Sequence, residues 1–77
     1  MMVITQDMKV KATRHLDELN NLRMLAASKH YETVGRIGEE QTWADAIKAY
    51  ELYEATLEQY AKLGFRNLGI HSVKVGA

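Results

Sequence analysis

The side chains with chemical potential are three histidines, His15, His30 and His71, and an aromatic set, Trp43, Tyr50, Tyr53 and Tyr60, accompanied by Arg14, Arg23 and Lys29. His15 and Glu18 have the three-residue spacing found in carboxylate-bridged metal bundles, which also need glutamates from facing helices. Glu51, Glu54 and Glu58 are the candidates, but Glu51 and Glu58 fall towards an outer face. His15 and His30 lie about 22 Å apart along a helix axis, too far to share one ion within a chain. Histidines accommodated in a helix interface are the favoured reading, and no metal or cofactor is expected. There is no cysteine, Ser28 and Ser72 lack the glycine-framed turn that exposes a serine nucleophile, and His71 stands alone as a general base. The chain is therefore expected not to be an enzyme.

The tyrosines permit one binding chemistry. Their rings can stack a base or another flat ligand while Arg23, Arg14 or Lys29 holds its phosphate. Arg23, Lys29, His30, Tyr50, Tyr53 and Glu54 are accordingly the candidate ligand or interface residues, with a nucleotide or similar anionic, ring-bearing molecule as the ligand at a subunit interface. The plainer reading, which is favoured, is core packing, with the phenol tips bonded to backbone, His30 or Arg23. Arg23 and Glu54 are expected to form an ion pair at the edge of the apolar stripes.

Two helices must position these residues. Trp43, Ala46, Ile47, Tyr50, Tyr53, Leu57, Tyr60 and Ala61 recur at the three- and four-residue spacing of one helix face. Thr42 is placed to cap that helix, and Gly64 to end it in a left-handed turn. Upstream, Met8, Ala12, Leu16, Leu19, Leu22, Ala26, Thr33 and Val34 form a second stripe, with Thr5 or Asp7 as its cap and Gly35 as its stop. The expected boundaries are a helix over about 5–34, a loop over 35–42, a helix over about 43–63 and a tail over 64–77. The loop is of the length that joins antiparallel helices, and it lacks the lysine and preceding strand of a phosphate cradle. A hairpin with this loop sets His30 near Ile47 and Tyr50, Leu19 near Leu57, and Leu16 near Tyr60. The first helix outruns the second, so the tail is expected to fold back with Phe65, Leu68 and Ile70 over Met8 and Ala12. The alternatives are a short strand over His71 to Val75, paired with Met2 to Thr5 of its own or a neighbouring chain, or a disordered tail over 65–77.

A chain of 77 residues sits near the lower limit for burying its own core, and without disulfides the usual remedy is association. Val10, Met24, Ala27 and Tyr31 form a second apolar patch well round the first helix, which calls for a second neighbour. The fold class expected is all-α: a long antiparallel helical hairpin with a short C-terminal tail, completed by homo-oligomerisation into a four-helix bundle or larger, in a single domain over 1–77.

Ten basic and ten acidic side chains cancel, which disfavours a dedicated nucleic-acid binder. The first half is biased basic and residues 37–62 acidic, so the two helices attract each other. Lys9, Lys11, Arg14, Arg66 and Lys74 remain a weaker nucleic-acid cluster. No run approaches the roughly 18 apolar residues of a membrane span, and a cytoplasmic protein is expected. Function is read as a non-enzymatic binding or regulatory protein. It would act through contacts with itself and with another protein, and Val10, Met24 and Tyr31 are its partner-binding residues. Small accessory factors of viruses and mobile elements are often of this kind.

Overall fold

The computed structural model describes residues 3–66 and 68–71. Two long helices, α1 (Gln6–Thr33) and α2 (Glu39–Lys62), pack against each other as an all-α hairpin. Thr5 caps α1: its hydroxyl accepts from the Met8 amide at 3.2 Å, and the Met8 sulfur accepts from the Thr5 amide at 3.5 Å. This is a capping box with a thioether in place of the usual glutamate.

α2 begins four residues earlier than its sequence suggests. Gly38, with φ +97°, makes the left-handed entry that a β-carbon would disfavour. Glu39 and Glu40 then occupy the first turn, where the exposed amides favour negative charge. Thr42 therefore lies inside the helix, and its hydroxyl bonds back to the Gly38 and Glu39 carbonyls. The connection shortens to residues 34–38, and the register slips with it. His30 meets Thr42 and Trp43 in place of Ile47 and Tyr50.

The end of α2 follows its sequence closely. Gly64, with φ +99°, donates to the Ala61 carbonyl, and the Phe65 amide reaches back to the Tyr60 carbonyl. These are the two bonds of a Schellman stop. The Phe65 ring meets the Tyr60 ring edge-on at 5.1 Å, the apolar contact that accompanies such a stop. The chain is thereby turned back over α1. Phe65 and Leu68 close a core with Ala12 and Leu16, and Ile4, Met8, Tyr53, Leu57 and Tyr60 pack around it.

Ile70 departs from expectation. It is 80% exposed, because residues 68–71 form a tight turn in which the His71 amide donates to the Leu68 carbonyl. That turn aims His71 inward and Ile70 outward. Among the described residues there is no strand, only the isolated bridge of Leu68 with His71; residues 72–75 and Met2 lie outside them. Among the described residues no helix is long and apolar enough to cross a membrane.

The core is confined to the end remote from the connection. α2 has no fully buried residue of its own, and the molecule measures 51 × 25 × 16 Å. Both broad sides of the hairpin's loop half lie open, where Leu22, Met24, Leu25, Tyr31, Trp43 and Tyr50 are each more than half exposed.

Leu16, fully buried, is expected to cost about 3 kcal/mol when changed to Ala. Ile70→Ala is expected to stay within about 0.5 kcal/mol. Urea unfolding of the two variants checks the placement of the core.

Candidate functional site

Polar chemistry gathers at one place, where α1, α2 and the tail meet. His71 is 1% exposed. Its Nε2 lies 2.6 Å from Asp17 Oδ1 and its Nδ1 lies 2.6 Å from the Tyr53 hydroxyl. An ionised carboxylate can only accept, so Nε2 carries the hydrogen and donates to Asp17. With the imidazole neutral, the Tyr53 hydroxyl donates to Nδ1. Asp17 itself is half exposed.

The phenol of Tyr53 is pushed above its ordinary range. Burial is the main cause, the Arg23 guanidinium opposes it, and the Glu54 and Asp17 carboxylates add to it. Tyr53 thus stays protonated at neutral pH and serves as a donor. This is the wrong direction for an activated phenolate nucleophile, and the triple arrangement acts as a clamp on the tail.

Arg23 lies over two rings, 5.5 Å from the centroid of Tyr53 and 6.0 Å from that of Tyr50, within cation–π range. Its hydrogen bonds go to Asn20 Oδ1, at 2.7 and 3.1 Å. The ion pair expected between Arg23 and Glu54 is not formed; Glu54 is exposed. Asn20 stands one helical turn before Arg23 and takes two of its five N–H groups, one on Nε and one on Nη2, which holds the guanidinium over the two rings.

The remaining candidates fall into separate places. His30 shares the connection end with Thr33, Thr42 and Trp43, its Nδ1 3.3 Å from the Thr42 hydroxyl and its ring 5.0 Å from the indole. Lys29 lines the opposite side, in a groove with Asp45. Among the described residues, therefore, these candidates occupy separate places: Lys29 lines one groove, His30 another, and Arg23 lies over Tyr50 and Tyr53. His15 bonds to the Tyr60 hydroxyl at 2.8 Å, and among the described residues no three His, Asp or Glu side chains are grouped to hold a metal.

Val10, Met24 and Tyr31 are all exposed, at 46, 55 and 84%. Met24 and Tyr31 stand seven residues apart on one face of α1 near the connection. Val10 lies in the other half of α1, beside Lys9 and Arg14. Of the basic cluster, Lys11 is paired with Asp7 at 3.3 Å and Arg66 donates to the Phe65 carbonyl at 2.9 Å, while Lys74 lies outside the described residues. The opposite charge bias of the two helices forms no lysine or arginine ion pair between them among the described residues; hydroxyls, imidazoles and rings make up their seam.

Asp17 and His71 escaped the sequence reading as a pair. They stand 54 residues apart, and no local spacing links them. Comparison with protein-family models, with curated proteins and with solved structures finds no match for this chain.

Tyr53 is expected to titrate above the usual value near 10 when followed by ultraviolet absorbance. A raised folded value means that the clamp's contribution is complete below about pH 10 and is lost as pH rises through the folded value. Denaturation midpoints across that range should fall more steeply for the wild type than for Tyr53→Phe. His71→Ala, which leaves a buried space and strands two polar partners, is expected to lower stability by about 2–4 kcal/mol at neutral pH.

Proposed function

We propose that this protein works by contact, as a small non-enzymatic binding or regulatory protein whose hairpin docks on another protein. The observation behind this reading is the apolar surface left open in the loop half. Met24, Tyr31, Trp43 and Tyr50 are each more than half exposed, although tryptophan and tyrosine are the residues that carry most energy at protein interfaces. Scattered apolar side chains are normal on a surface. Met24 and Tyr31 share one face of α1, as Trp43 and Tyr50 share one face of α2, and exposed apolar groups gathered on a face mark interaction sites.

The arrangement suits recognition by a rigid face. Both helices are tied together at the connection by Thr33, Thr42 and His30, so the aromatic groups are held before a partner arrives and little ordering is needed on binding. The clamp at the far end holds Leu68 and His71 against the core.

The double substitution Met24→Glu with Tyr31→Glu should leave the helical circular dichroism intact, because both side chains are exposed. It should abolish capture of the proteins that the wild type retains from lysate of its source cells. Capture of the same proteins by both, with self-association also unaltered, would sink the proposal.

A further inference from the structure

The broad side opposite the tail carries a groove of about 270 Å³ between the helices, with Leu22, Leu25 and Lys29 of α1 facing Asp45 and Ala49 of α2. Leu22 stands nine residues beyond Thr13, half a turn round α1 at about 100° per residue, and Thr13 is where Gly69 of the tail packs. Leu52 stands three residues beyond Ala49, on the next turn of α2. Leu22, Leu25 and Leu52 are 56, 53 and 54% exposed. The bond of Thr33 to Thr42 and the position of Arg23 over Tyr50 and Tyr53 set the helix register. That register puts Leu22 level with Leu52, Leu25 with Ala49, and Lys29 with Asp45.

We infer that this groove is covered by the same groove of a second copy, related by a two-fold axis parallel to the long dimension of the hairpin; the inference rests on the contact reading above and specifies one of its surfaces. Such an axis lays α1 of each copy antiparallel over α2 of the other. Leu22 then meets Leu52 of the second copy, Leu25 meets Ala49, and Lys29 meets Asp45, each contact occurring twice. The result is a four-helix bundle.

The charges select this occupant, because they are self-complementary. Lys29 and Asp45 flank the groove from opposite helices at one level, the condition for a surface to match itself under this rotation. An axis running across the helices stacks α1 on α1 instead, and at the level of Lys29 it brings like charges together. Asp45 is held at the rim by Gln41, whose Nε2 donates to it at 2.9 Å.

Sedimentation of the full chain tests the arrangement. The wild type is expected to dimerise, and Leu25→Glu to be monomeric. Lys29→Asp alone and Asp45→Lys alone each place like charges in both symmetric contacts, and each should weaken the dimer by roughly tenfold or more. An equimolar mixture of the two single variants should form a heterodimer more tightly than either variant associates alone. Charge matching inside one chain cannot produce that result, because neither variant has it. A wild type that stays monomeric at about 100 µM, or a mixture no tighter than its components, overturns the inference. A monomeric wild type whose captured proteins are still lost with Met24→Glu and Tyr31→Glu removes the second copy and leaves the contact reading standing; a dimer that behaves as predicted while that capture is unaltered does the reverse.

Discussion

The return of the tail across α1 is the constraint on which the rest depends. Two helices in contact along one line cannot enclose a side chain, since each leaves most of its circumference to solvent. Phe65 and Leu68 add the third wall that brings Ala12 and Leu16 to nearly complete burial. The Schellman stop at Gly64 directs the chain there, and His71 holds it by bonding to α1 through Asp17 and to α2 through Tyr53. One buried imidazole thus joins all three segments, and both of its nitrogens are satisfied, which makes its burial tolerable.

The hairpin consequently has two unlike halves. At the terminal end, apolar packing and the clamp define a core. At the connection end, polar contacts among His30, Thr33 and Thr42 and the lean of Arg23 on Tyr50 and Tyr53 fasten the helices without enclosing anything. The apolar side chains there are held in place yet remain exposed. A surface that is rigid, apolar and unburied is suited to recognition, and the proposed contacts on the two broad sides both draw on that half.

The histidines illustrate how position decides role. His15 and His30 are each bonded to a single hydroxyl at the edge of the helix seam. His71, chemically identical, is buried and doubly bonded. Its partner Tyr53 is kept protonated by burial, and the three side chains together fasten Leu68–His71 to both helices.

By itself the sequence determined the helical hairpin and the Gly64 stop, because each follows from local spacing; it narrowed the cap of α1 to Thr5 or Asp7 and offered a fold-back of Phe65 and Leu68 beside a strand or disorder, and tertiary structure chose among these. The start of α2 was misplaced by four residues, since Thr42 has the chemistry of a cap and only its bonds to Gly38 and Glu39 reveal an interior position. Arg23 was legible as a residue at the helix seam, but its preference for Asn20 and two rings over Glu54 is a matter of side-chain reach that spacing does not encode. The clamp of Asp17, Tyr53 and His71 was decided by tertiary structure alone. Its members come from three segments, and only the turn at residues 68–71, packed on α1, brings an imidazole within bonding distance of both helices.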